Sequence, residues 1–255
     1  MLSDFHIHLE HSEYTKAAFS SFVKQAVKVG LQEIGIVEHS HQFKEFWPLY
    51  QESRALGGPV AQWYNNKKPR PLLEYLQFVQ AMKKQDWPVK INYGLEVCYF
   101  PQHQTLIREL LADLPLDYYI GSVHHVYSVP YDLEEISQFA LWLRYDHNAI
   151  YREYYRLIES LLSSELFDII GHLDNIKVGG ETAGYDLRPT YQKLAKLAKS
   201  QKVTIENNTG CHYRYGHRDV GLNAELLAIL QENDVKIVTS SDAHWPADVG
   251  KIITV

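Results

Sequence analysis

Short apolar runs and helix-patterned stretches alternate along this chain from end to end. That alternation restricts the folds open to it more than any other feature. Strand-like runs lie at residues 4–8, 33–37, 90–96, 117–124, 167–172, 203–207 and 236–240. Between them, Phe19, Phe22, Val23 and Val27 recur at helical spacing within 17–29. The same pattern runs through 72–84, 104–111, 148–162, 188–199 and 224–232. Pro189, one residue inside its stretch, suits a first helical turn, where the missing N–H costs nothing. Parallel strands need a long crossover, usually a helix, so this order predicts a parallel sheet with helices packed outside it. Seven such units in 255 residues predict an α/β fold, a closed or nearly closed barrel; a doubly wound open sheet is the structural rival. Residues 43–71, rich in Trp, Pro, Gly, Asn and basic side chains, read as a long loop over one end, and 127–142 as a second insertion. No boundary, repeat or low-complexity tract interrupts the pattern, so 1–255 reads as one domain.

The strand ends carry the chemistry. In order, the seven runs finish at His6-Ile7-His8, Glu38-His39, Gly94-Leu95-Glu96, Val123-His124, Gly171-His172, Glu206-Asn207 and Asp242-Ala243-His244. In a parallel barrel all strand C-termini open on one face, so residues far apart in sequence meet there. Period-two spacing puts His6 and His8 on one side of their strand, and Asp242 and His244 share a side if the last strand extends that far. A lone histidine at a strand end needs only a hydrogen bond to explain it. Eight candidates at corresponding ends of seven strands are better explained by a polynuclear metal site. Imidazoles with carboxylates suit zinc, iron or manganese, and no soft thiolate joins the set. Closely spaced divalent ions acidify a shared water and neutralise charge building on a phosphoryl oxygen. A carboxylate such as Glu96 can bridge two ions where an imidazole cannot. Hydrolysis of an anionic ester is the natural reaction.

Charge and cysteine usage remove other classes. The formal net charge is −6, whereas a nucleic-acid backbone binder is usually basic. Cys98 and Cys211 are the two cysteines, too few for a disulfide framework or a Cys-rich zinc module, and a reducing cytoplasm is expected. The first residues run straight into a strand pattern without a basic and apolar leader. No stretch approaches the ~18 apolar residues of a membrane span.

The set His6, His8, Glu38-His39-Ser40-His41, Glu96, Gly121-Ser122-Val123-His124-His125, Ile169-Ile170-Gly171-His172-Leu173-Asp174 and Ser241-Asp242-Ala243-His244 resembles the PHP (polymerase and histidinol phosphatase) family, in particular its stand-alone histidinol-phosphatase branch. The resemblance runs from about Phe5 to Gly250. It implies a distorted, TIM-like (β/α)7 barrel with two or three divalent ions, Zn, Fe or Mn, at the strand C-termini. It implies that His6, His8, Glu96 and Asp242 hold one ion, that Glu96 bridges to a second completed by His124 and His172, and that His39 and His244 hold a third. The third ion needs one more ligand from Glu10, His11 or Glu13, of which His11 is the first choice. Glu96, Asp242 and His244 form the implied catalytic core, with Asp242 or a bound water as proton donor. Lys177 stands where the family often carries a basic residue. Arg214 follows an altered Asn208-Thr209-Gly210 segment. With Arg144 and His41 these are the expected substrate contacts; His212 and His217 are further pocket residues to locate.

The function so implied is a phosphatase acting on a small phosphate monoester, L-histidinol phosphate first, with hydrolysis of a nucleotide or sugar phosphate as the alternative. A non-catalytic metal-binding barrel is the alternative of another class; intact Glu96, Asp242 and His244 argue against it. Family members usually continue into a further helix after the Asp-Val-Gly segment, and here only Lys251 and four more residues follow Gly250. Apolar surface near the last strand is therefore expected to be open or covered by a second copy of the chain.

Overall fold

The computed structural model describes residues 2–251. Residues 252–255, on which the expectation about the chain's end bears, lie outside the described residues. Strands β1 (Ser3–Ile7), β2 (Glu33–His39), β3 (Lys90–Cys98), β4 (Tyr118–Ser122), β7 (Ile169–Ile170), β8 (Thr204–Asn208) and β9 (Ile237–Ser240) form one parallel sheet in that order. A separate antiparallel hairpin, β5 (His125–Val126) and β6 (Val129–Pro130), follows β4. The helices are α1 (Lys16–Lys28), α2 (Gln51–Ala55), α3 (Gly58–Asn65), α4 (Leu72–Met82), α5 (Gln104–Leu111), α6 (Glu134–Ser137), α7 (His147–Leu162), α8 (Arg188–Gln201), α9 (Gly210–Tyr215) and α10 (Ala224–Glu232).

The ends of the sheet meet. Ile7 bridges Ala243 in parallel, His8 N donates to Ala243 O at 2.8 Å, and Ala243 N donates to His6 O at 3.2 Å. The buried Asp4 carboxylate accepts from Ser241 N and Gly250 N, each at 3.0 Å, and so ties the segment after β9 back to β1. The result is a nearly closed barrel of seven parallel strands, not an open sheet. The main core lies between barrel and helices. A second cluster of Val37, Tyr118, Ile120 and Ile169, with Phe5 and Val238 against it, comes from five strands and no helix, so it plugs the barrel from within. Gly35 makes room for that plug. A Cβ there would lie 2.1 Å from the Tyr118 hydroxyl, which crosses to donate to Phe5 O at 2.6 Å.

Local sequence accounts for the helix starts. Thr15 caps α1 by accepting from Ala18 N, Asp146 caps α7 through Ala149 N, and Asn223 caps α10. Pro189 sits in the first turn of α8, as expected. Residues 43–71 depart from the expected loop. They form a 3-10 stretch over Lys44–Tyr50 followed by α2 and α3, with Phe46, Leu49, Val60 and Tyr64 buried. Pro48 is tolerated in the 3-10 stretch and Pro59 in a first turn, so the prolines do not break this lid. The second insertion holds the β5–β6 hairpin and α6, which runs on as a π-helical turn over Gln138–Trp142. Along β9, Ile237, Val238 and Thr239 are half-buried. Among the described residues no helix is long and apolar enough to cross a membrane.

Candidate metal centre

His6 lies in β1, whose pairing with β2 shifts register between Asp4 and Ile7, and His8 lies just beyond the strand. His6 Nδ1 lies 2.7 Å from Glu206 Oε1 on β8, which turns its Nε2 toward Glu96 Oε2 at 3.4 Å and Asp242 Oδ1 at 3.8 Å. His8 Nε2 faces the same pair, at 3.6 Å from Glu96 Oε2 and 3.3 Å from Asp242 Oδ1. Glu96, on β3, is the hub. Its Oε2 is 2.7 Å from His39 Nδ1, and its Oε1 is 2.9 Å from His172 Nε2 and 3.4 Å from His124 Nε2. His244 Nε2 lies 3.4 Å from His39 Nε2 and 3.2 Å from Glu10 Oε1. His172 and Asp242 reach the centre from left-handed backbone, φ 27° and 56°, immediately past their strands. Such conformations cost roughly 1–3 kcal/mol each and persist where the surroundings impose them.

The charges are mutually determined. Burial pushes the Glu96 carboxyl up, but His6, His124 and His39 outweigh it and hold it well below the usual carboxylate range. Asp242 behaves likewise, with burial opposed chiefly by Arg214, whose Nη1 lies 3.1 Å from Asp242 Oδ2. Burial pulls the His6 imidazole down, yet Glu206, Glu96 and Asp242 together raise it well above its ordinary value. His8 goes the other way, since burial and the neighbouring His39 and His244 keep it neutral. His244 is pushed down to about 4: burial leads and Arg214 and His39 add to it, against the pull of Asp242.

These side chains fit metal ions. His6 Nε2, both ring nitrogens of His8, Glu96 Oε2 and His172 Nδ1 are buried without a hydrogen-bond partner. Unpartnered buried polar atoms are costly, and a cation among those that face the cluster removes the cost. Three groups bring ligand atoms within 4.8 Å of one another: His6, His8 and Glu96; Glu96, His124 and His172; and His8, His39 and His244. The donors are nitrogen and oxygen, which suits Zn, Fe or Mn.

The centre opens into a cavity of about 230 Å³ lined by Glu10, His41, Trp63, Tyr64, Lys67, Asp132, Arg214 and Tyr215 among others. His6, His8, His39, Glu96, His124, His172, Asp242 and His244 are thus brought together. His11 is not. Its side chain is 45% exposed and its ring stacks on Trp245, with centroids 4.7 Å apart, while Glu10 turns inward; Glu13 is exposed. Lys177 does not reach this cavity either. Its Nζ binds Asp174 at 2.9 Å, Asp219 at 3.2 Å and the Gly221 carbonyl, in the wall of a second cavity. Spacing after His172 pointed to Lys177 as a substrate contact, but the 3-10 turn at Asn175–Gly179 directs it to those acids. Arg144 is exposed just past the second insertion and does not line the cavity. His41 and Arg214 do line it, whereas His212 bonds the His217 carbonyl and His217 lines the second cavity. Sequence reasoning missed Lys67, from the lid, and the orienting role of Glu206. It also missed Cys98, which lines the cavity with its Sγ 3.3 Å from His125 Nδ1. The Glu206-Asn207 strand end was a signal for one of these; nothing local marked Lys67.

The sequence matches the PHP domain model over residues 4–210. It is 27% identical over 254 residues to a Deinococcus radiodurans protein named "Probable histidinol-phosphatase", spanning 98% of this chain and 88% of that one. Two solved structures share the fold. A Listeria monocytogenes chain bearing the same phosphatase name superposes with TM-score 0.82 at 18% identity, over 98% of each chain. The Lactococcus lactis histidinol phosphate phosphatase, solved with zinc, L-histidinol and phosphate, gives TM-score 0.68 at 19% identity, over 96% of this chain and 86% of that one.

Proposed function

The chain belongs to the PHP domain family, and from that premise we propose that it is a metal-dependent phosphatase converting L-histidinol phosphate to L-histidinol and inorganic phosphate. The observation that carries this reading is the sharing of Glu96 between two groups of potential ligands, on the floor of a cavity that also presents cations. Relatives named for this activity support the choice of substrate. We read 1–255 as one catalytic domain, since a single barrel supplies every ligand. Two unpaired buried thiols support a cytoplasmic setting.

His6, His8, Glu96 and Asp242 would hold one ion, Glu96, His124 and His172 a second, and His39, His244 and Glu10 a third. Glu10 replaces His11 in this assignment because its carboxylate is the group that faces His244, whereas His11 is 45% exposed and reaches inward only to Glu10 Oε1, at 3.4 Å. Bound divalent ions would supply Lewis acidity toward the phosphoryl oxygens and lower the pKa of water. The chain's own residues do the rest. Glu206 holds His6 in one ring orientation, as a carboxylate behind a ligand histidine does. Arg214 keeps Asp242 ionised, which supports a ligand role for Asp242 over that of a proton donor. Arg214 and Lys67 flank the centre and would bind the phosphate oxygens, Arg214 by its planar fork and Lys67 as a point charge. The lid excludes water above them, held by Tyr50 to Ser40 Oγ and by Tyr64 to His125 Nε2, each at 2.7 Å.

The test is phosphate release from histidinol phosphate by protein loaded with Zn, Mn or Fe, beside nucleotide and sugar phosphates. Nucleotides belong in the panel because Trp63 and Tyr64 would stack on a base as well as on an imidazole. A clear preference for histidinol phosphate, lost on chelation, is expected; equal turnover of all esters would overturn the substrate assignment.

A further inference from the structure

Resting on the reading above, we propose that Asp132 receives the ammonium group of the substrate and so restricts the enzyme to phosphate esters of amino alcohols. Four acids line the cavity: Glu10, Glu96, Asp242 and Asp132. The first three face the histidines of the centre. Asp132 is half-buried, and its carboxylate makes no hydrogen bond or ion pair among the described residues. It is the one acid of the lining left over for a ligand.

Its position is set by the hairpin. Arg214 sits on Asp242, and Lys67 lies beside Glu10 with its ammonium 4.3 Å from the Trp63 ring centre. Asp132 enters the lining from the turn after β6. The preceding residue, Tyr131, donates its backbone N–H to His124 O at 3.1 Å and its hydroxyl to Val123 O at 2.8 Å. Those two bonds fix the turn after the β5–β6 hairpin against the His124 side, with Pro130 and Leu133 lining the cavity on either side of Asp132. In this arrangement a dipolar ligand would turn its phosphate toward the metal centre, Arg214 and Lys67 and its ammonium toward Asp132, the acid that no imidazole or cation of the lining occupies. An anionic or neutral alcohol phosphate leaves Asp132 unpaired, and a partly desolvated carboxylate without a partner is unfavourable. That penalty is the source of selectivity.

The experiment compares the metal-loaded wild type with Asp132→Asn and Asp132→Glu on histidinol phosphate and on its analogue lacking only the amino group. Expected is an increase in KM and a loss of about tenfold in kcat/KM for Asp132→Asn on histidinol phosphate. The deamino ester should show no loss, thermal midpoints should match, and Asp132→Glu should restore part of the activity. Equal loss on both esters, or no loss on either, overturns the proposal. If the wild type itself prefers neither ester over other phosphates, the substrate reading has failed and this inference falls with it, an outcome visible without any variant.

Discussion

Glu10 brings its Oε1 to 3.2 Å from His244 Nε2, while the adjacent His11 stacks on Trp245 at the rim. Among Glu10, His11 and Glu13 the family resemblance puts His11 first; the Glu10 carboxylate is the one that faces His244, which favours Glu10 as the ligand. Glu10→Gln is expected to release one ion of the set, visible in elemental analysis. It should lower kcat/KM by at least the ~10–100-fold that loss of a supporting contact to a ligand costs. His11→Ala should leave metal content unchanged and activity within about twofold, the usual reach of a surface substitution. The two lysines separate in the same way. Lys67→Met should raise KM for the phosphate ester by roughly tenfold, a charge-assisted contact being worth about 1.5–3 kcal/mol. Lys177→Met strips the cation from buried Asp174 and half-buried Asp219, so denaturant melts should show a loss of about 3 kcal/mol with kcat/KM nearly intact. Of the residues at the site, those at strand ends were legible because a strand's end has one address in a barrel. Lys67, Glu10 and Asp132 sit on connections, whose course the local pattern does not encode.

The strands were legible as elements chiefly where both faces are buried and the sequence reads as a near-continuous apolar run, as along Gly94–Cys98 and Ile34–Glu38. β7 was expected over six residues and pairs over only Ile169–Ile170, since the chain turns at His172 to aim its ring at Glu96. The lid escapes the local pattern because proline and glycine ordinarily mark loops, whereas here Pro59 occupies a first turn that needs no N–H and Pro48 sits inside a 3-10 stretch. Packing within the barrel has its own test. Gly35→Ala places a methyl against the Tyr118 hydroxyl, and urea unfolding should show destabilisation of about 1–3 kcal/mol. Adding Tyr118→Phe should recover part of that loss, because the hydroxyl is the nearest atom; no recovery would mean the two residues do not meet.

At the scale of the whole molecule, the candidate ligands come from strands spread over the chain, so ions bound there would tie β1, β2, β3, β4, β7 and the segment after β9 to one point. The barrel has a core of its own, inside and out, and the protein without ions is expected to remain folded. Chelation should lower the thermal midpoint. Free metal at a hundred times its Kd contributes about 2.7 kcal/mol per site, or roughly 5–10 °C for a chain of this size. Calorimetry with and without chelator checks this; an unchanged midpoint would mean that these side chains hold no ion tightly. By itself the sequence determined the alternation of strands and helices, the parallel sheet that follows from it, and eight ligand candidates at the strand ends, because burial periodicity and parallel connection are local and topological constraints. Only the tertiary structure decided that the sheet closes, through Ile7 and Ala243, and which connection residues line the cavity: Glu10 and not His11, Lys67 and not Lys177, and Asp132. Loop paths are set by packing against distant parts of the chain, which no local pattern records.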